Sequence, residues 1–445
     1  MTSPDVSAAQ GAARPETTGL AFDGRFRVAF VLFGGMVALQ SSPVLDATKI
    51  AYLVGTVVCL AGAMVAVWTV RRTAVVRLST PWLAASAALA GLCGLSLAVA
   101  LGNGVSIADW VRDVAAYALF AAVPVFALDA QASTTRKLLV GMLVLAGMLG
   151  GLAWSVEWLN RRHILDLPFD RLVFPSPQLP GMLYIFALAT ALTSARRATA
   201  WAFLAGLILG LFLLTGTRSS LLLLIGPLAM AVLAGRARIR SSVRAILSHG
   251  FVAAALVLSF QIGVLGLGPA APDAGSPEPA ATPGPNVLGD RFGTLPELVN
   301  DPGADPSITE RVAQYEAAWA LFVSSPIVGV GPGHSIDWVD VSGYPRTGFT
   351  ADTPLVMPAK FGLLGILVIL GAAVAYAATA RTALRRDSRS VTTLALVGYG
   401  AWTILGLPLG FPIEDKGASL ALMLLLGLAF AESNEPDSIV GQQRS

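Results

Sequence analysis

The chain has 445 residues, of which 55% are hydrophobic and only 13% charged, far below the roughly one quarter of charged residues in soluble proteins. That composition excludes a soluble globular enzyme and predicts an all-α, polytopic membrane protein with about twelve transmembrane helices. A net charge of +3 is no sign of a nucleic-acid partner, because the basic residues stand in short clusters between apolar segments, where they act as topology signals. Cys59 and Cys93 both fall within apolar segments, which leaves neither a disulfide framework nor a metal cluster.

In chain order, residues 1–24 are rich in Ala, Ser, Thr and Pro and read as a disordered cytoplasmic tail. Apolar segments compatible with bilayer crossing follow near 28–45, 50–70, 81–102, 110–128, 138–158, 179–195, 198–216, 219–235 and 250–268. They form a first transmembrane bundle over 25–268. A long polar interruption over 269–353 follows, then segments near 354–378, 391–411 and 417–431, which form a second bundle over 354–431, and a tail over 432–445.

Alternate connections differ in charge. One set, which includes both tails, holds 19 of the 30 Lys and Arg but 8 of the 27 Asp and Glu; the other holds 11 and 19. Basic residues are retained on the cytoplasmic side. Both termini are therefore expected in the cytoplasm of a multi-pass membrane protein, with the 269–353 loop facing outward.

The first part of that loop carries six prolines between Pro269 and Pro285 and cannot bury enough apolar surface to fold alone. Its second part opens with Ser307 and Glu310 at capping-box spacing, which predicts a helix over 307–324. Val312, Tyr315, Trp319 and Phe322 recur at three- and four-residue steps as one apolar stripe, and Arg311 and Gln314 lie off it. A glycine-rich turn, Pro326 to His334, and a polar stretch with Asp337, Asp340, Tyr344, Arg346 and Asp352 complete the loop.

Few residues are placed for chemistry. Arg218, in Thr-Gly-Thr-Arg-Ser-Ser, stands between two apolar stretches at the outer boundary, where it either reaches for lipid headgroups or grips an anion bidentately. Arg311 either faces solvent, pairing with Glu310 or Asp305, or meets the same anion. Arg112 has Asp113 beside it as a ready structural ion partner. His334 ends the glycine-rich turn, where it either faces solvent or acts as a general base, while His163 and His249 read as incidental. No P-loop, zinc spacing or serine nucleophile elbow occurs in a fitting context, so no metal or cofactor is expected.

Four stretches together resemble the bacterial O-antigen ligase and O-antigen polymerase family: Leu214-Thr-Gly-Thr-Arg218, Asp305-Pro-Ser-Ile-Thr-Glu-Arg311 with Trp319, Ser325 to Gly333, and Lys360-Phe-Gly362-Leu-Leu-Gly365. The resemblance implies a membrane glycosyltransferase that takes a saccharide from undecaprenyl pyrophosphate at the outer face of the plasma membrane and passes it to a saccharide acceptor. It implies that Arg218 and Arg311 hold the donor's pyrophosphate; Arg112, Arg346 and Lys360 are further outward cations that are candidates for additional substrate contacts. The family's ligases carry a catalytic histidine and a small polar residue ahead of the glycine at 362, and the count places Ala351 and Asp352 there. With that histidine missing, Asp352 and His334 are the candidates for the base. A transporter of lipid-linked sugars, and a non-catalytic relative acting as a scaffold, are the alternatives.

Overall fold

The computed structural model describes residues 80–121, 178–194, 197–214, 247–255, 306–409 and 414–434, together with isolated positions elsewhere. Most of the early predicted segments, the 269–305 stretch, the N-terminal tail, residues 435–445 and Arg218 lie outside these residues. Described helices are α1 (Thr80–Gly102), α2 (Ile107–Ala121), α3 (Gln178–Thr193), α4 (Ala198–Leu214), α5 (Pro306–Ser324), α6 (Val356–Arg386), α7 (Val391–Gly406) and α8 (Lys416–Asn434). Two of them contain stretches long and apolar enough to cross a bilayer: Pro81–Gly102, and Val356–Arg386 with 31 residues.

The helix ends follow local rules. Pro81 and Pro306 stand in first turns, where a missing amide hydrogen costs nothing. At the start of α7, the Ser390 side chain accepts from the Thr393 amide as an N-cap. α6 ends on Arg385 and Arg386, which suit the negative end of its dipole. Tyr117, Tyr184, Tyr399 and Leu119 are fully buried in one continuous core to which α1–α4 and α6–α8 contribute. α3 packs on α4 and on α7, α1 on α2 and α6, and α8 on α2.

The all-α expectation has one exception. Ile336–Val339 (β1) and Pro345–Gly348 (β2) form a two-stranded antiparallel hairpin within the stretch expected to be irregular, with Asp337 opposite Thr347 and Trp338 opposite Arg346. Asp340 makes its turn: one carboxylate oxygen accepts from the Ser342 and Tyr344 amides, and the other accepts from Arg346 Nε at 2.8 Å. β1 packs on α5, which in turn packs on α6.

α5 begins at Pro306, one residue before the predicted start, but its buried face is turned from the predicted stripe, of which Tyr315 and Phe322 stay half-buried. Val312 and Trp319, from the predicted stripe, are exposed, while Gln314 and Ala318 are buried and Ala317 and Leu321 pack on a small cluster of Ile336, Ala351 and Val356. Periodicity finds an apolar stripe but not its direction, and the side with Gln314 wins because it gains packing and a hydrogen bond: Gln314 Oε1 accepts from the Asp352 amide.

α6 breaks at Gly362, whose φ of 63° and ψ of −158° are not helical. The break frees backbone groups that cannot stay unpaired in a buried place. The glycine-rich turn supplies the partners. Val330 and Gly331 amides donate to the Ala359 and Lys360 carbonyls, and the Leu363 and Leu364 amides donate to the Pro326 and Ile327 carbonyls. The turn is therefore a backbone splint across the broken helix, which its sequence alone does not reveal.

Candidate functional site

Three connections that charge asymmetry assigns to one side converge here. Asn103, after α1, donates from its side chain to the Val330 carbonyl at 2.9 Å, and Glu414, before α8, accepts from the Thr350 hydroxyl of the loop. At the opposite ends of the helices, Arg386 donates to the Glu432 carbonyl at 2.7 Å, joining two connections of the other set.

At the centre of the convergence Lys360, only 1% exposed, donates to Asp113 Oδ1 at 2.7 Å and to Glu414 Oε1 at 2.8 Å. Each acid has further donors. Asp113 Oδ2 accepts from the Gly333 amide at 2.7 Å, and Glu414 Oε1 also accepts from the Tyr117 hydroxyl at 2.8 Å. Four parts of the chain meet on this cluster: α2, α6, the glycine-rich turn and the segment before α8. Burial raises the Glu414 carboxyl above its ordinary range; Lys360 opposes the rise and Asp113 adds to it.

Lys360 is thus enclosed, and the structure corrects its expected role as a cation within reach of substrate. A buried ammonium needs paired acids to offset its lost hydration, and here it has two. The expected Arg112–Asp113 pair is also corrected. Asp113 turns to Lys360, and the Arg112 guanidinium lies over the Phe349 ring at 4.1 Å from its centroid, a cation–π contact.

Arg346 is occupied by Asp340. The Tyr344 amide above all, with Arg346 and Ser342, holds the Asp340 carboxyl below its usual range against a desolvation effect. A lowered acid stabilises the fold above its unfolded pKa of roughly 4, and the gain is lost as pH falls through the lower folded value. Asp340→Asn is accordingly expected to speed hydrogen exchange at the Ser342 and Tyr344 amides at neutral pH. The same amides in the unaltered protein should loosen only in acid.

Arg311 stands on the buried side of α5. Its Nη2 lies 4.0 Å from Asp352 Oδ2, and its Nε is buried without a hydrogen-bond partner. Trp338 Nε1, on the β1 strand packed against α5, is a second buried donor without one. Unsatisfied buried donors are rare and costly, on the order of 1–3 kcal/mol each, so both ask for an acceptor. Desolvation raises the Asp352 carboxyl above its ordinary range, with Arg311 opposing and Glu310 adding to the shift. His334 is half-buried, its amide donating to the Gly331 carbonyl, so the structure brings Arg311 and Asp352 together and puts His334 at the far end of the splint.

Asp113 and Glu414 were missed as site residues. A signal existed for Asp113 and Lys360, since an ionisable side chain inside a predicted span implies a buried partner. Their pairing across 247 positions was not readable from spacing.

The arrangement is a helical membrane-protein bundle whose converging ends carry a buried charge cluster and an arginine with an unused donor. Within it, residues 182–370 match the family model described as O-antigen ligase. The chain therefore carries an O-antigen ligase family region, which supports reading it as an O-antigen ligase-type membrane glycosyltransferase. The region spans Arg218, Arg311, the splint and Lys360, and ends before Glu414. No curated protein matches the chain.

Proposed function

We propose that the protein transfers or polymerises a saccharide carried on undecaprenyl pyrophosphate at the outer face of the plasma membrane, in the assembly of a cell-surface polysaccharide. The observation that carries this reading is the unused Nε donor of Arg311 on a buried helix face, within the family region. A pyrophosphate oxygen satisfies that donor and engages the rest of the guanidinium bidentately. Arg218 supplies the second guanidinium. Together they stabilise charge that builds on the leaving pyrophosphate as the sugar's C1–O bond breaks, so their effect is greatest in the transition state.

Asp352 and His334 are the side chains that the resemblance leaves in place of the family's missing histidine, and of the two Asp352 lies beside the guanidinium proposed to hold the leaving group. Asp352 also pairs with Arg311, and so keeps the guanidinium in place until the donor's charge replaces its own. A polysaccharide acceptor needs no metal in this scheme, because the arginines carry the electrostatic role.

Arg218→Ala and Arg311→Ala, each at matched expression in the full-length protein, are expected to cut glycan product by about 10²-fold or more, the scale of losing one group that stabilises transition-state charge. Polymer of unaltered length and amount in both variants would overturn the assignment. The transport alternative is separated by one further reading, since a transferase releases polyprenyl pyrophosphate and a transporter does not.

A further inference from the structure

The buried cluster holds one ammonium, Lys360, against two carboxylates, Asp113 and Glu414. One negative charge is left over in a poorly hydrated place, where the charged form of an acid is disfavoured. That surplus is a capacity for one proton. Asp113 has the Gly333 amide and Lys360 to hold its charge, and Glu414 shares Lys360 with it.

Every donor to Glu414 described here is buried except one. Tyr117 and Lys360 are enclosed, whereas Thr350 is exposed and donates its hydroxyl to Glu414 Oε2. Thr350 therefore links the buried acid to the surface of the loop. It also stands next to Ala351, and on the other side of Ala351 comes Asp352, held by Gln314 and Arg311 of α5. The two flanks of Ala351 thus belong to different partners, one to the guanidinium proposed to hold the leaving group and the other to the proton-deficient cluster.

We infer that Thr350 and Glu414 form a proton relay that takes the proton of the acceptor hydroxyl during glycosyl transfer. This rests on the proposed function and settles which group ends with the proton. In the step, the acceptor oxygen bonds to C1 of the donor sugar, and the C1–O bond to pyrophosphate breaks with its electron pair leaving on the pyrophosphate. The acceptor's proton passes to Thr350 Oγ1 as Thr350's own hydroxyl proton passes to Glu414 Oε2. Thr350 ends neutral, Glu414 ends protonated, and the proton later returns through Thr350 to water.

Attack from the face of C1 opposite the leaving oxygen suits this division, because the carboxylate that touches Arg311 lies on the leaving-group side. The raised Glu414 carboxyl fits a proton acceptor. The charged or titratable groups facing Glu414 are Asp113 and Tyr117 of α2 and Lys360 of α6, while its neighbour Asp415 is engaged in accepting the Gly417 and Ala418 amides at the start of α8.

The test uses membranes of a host lacking its own copy and expressing full-length variants, with release of polyprenyl pyrophosphate from the endogenous lipid-linked saccharide as readout. Thr350→Val is expected to lower the rate about 10²-fold or more, the usual worth of positioned acid–base groups, and Thr350→Ser to recover most of it. The unaltered protein is expected to release faster as pH rises and Glu414 loses its proton; Glu414→Gln is expected to lose that rise, whereas Asp352→Asn keeps it. Because Glu414→Gln alters a buried cluster, its expression and melting are read alongside; the exposed Thr350 pair decides the matter without it. A Thr350→Val rate equal to the unaltered one, a Ser variant no better than Val, or a pH limb lost in Asp352→Asn and kept in Glu414→Gln each overturns the relay while leaving the transferase reading intact. No release from the unaltered protein overturns both.

Discussion

Lys360→Met is expected to destabilise the full-length protein by about 3–5 kcal/mol, the scale of removing one partner from a buried ion pair. Methionine keeps most of the lysine's length and apolar stem, so the lost quantity is charge. Asp113 and Glu414 would then face each other as buried carboxylates with no cation between them, and the Gly333, Tyr117 and Thr350 hydrogen bonds would remain to hold two negative charges. Thermal unfolding in detergent, followed with the unaltered protein as reference, reads the effect. Neutralising the acids as well, in Asp113→Asn/Lys360→Met/Glu414→Gln, is expected to recover a large part of the loss, because replacing a whole buried ionic cluster leaves no charge uncompensated. Equal melting of Lys360→Met and the unaltered protein would show that the cluster holds nothing together.

Gly329→Ala is the second large effect. Gly329 has φ of 71°, and a Cβ built on it would lie 2.2 Å from the carbonyl carbon of Lys360. The obstacle is backbone on both sides, the splint and the broken helix, so no flexible side chain can yield. A cost above about 4 kcal/mol is expected, in the range reserved for a few severe mechanisms. Gly343→Ala is the comparison, since its φ of 81° is as unusual but nothing lies within 4 Å of the added carbon. There the left-handed backbone alone contributes, on the order of 1–2 kcal/mol. If the two alanine variants melt alike, the splint does not pack on α6 as described.

Much of the site was legible before the fold. The start of α5 and the glycine-rich turn came from local signals, a capping pattern and a run of glycines, whereas Gly362 reads as opening an apolar segment and not as breaking a helix. Local signals fail where direction or distance matters. The stripe of Val312, Tyr315, Trp319 and Phe322 was found but its direction was not: Val312 and Trp319 are exposed, Tyr315 and Phe322 half-buried, and the neighbouring face with Gln314 and Ala318 packs inward. The polar stretch after the turn became a hairpin through Asp340, whose three accepted hydrogen bonds depend on the chain folding back on itself.

The sequence by itself determined the helical class of the protein, because apolar content and periodicity add up over the whole chain and need no contacts; the sidedness of its connections stands as the expectation of basic-residue bias. It also marked Arg311 and the glycines at 329, 331 and 362. Only the tertiary structure decided that Lys360 faces inward, that Asp113 is its partner and not that of Arg112, and that Thr350 reaches Glu414. Those groups are 247, 54 and 64 positions apart. A buried charge is stabilised by whatever the packing brings within about 3 Å of it, and chain separation carries no information about that.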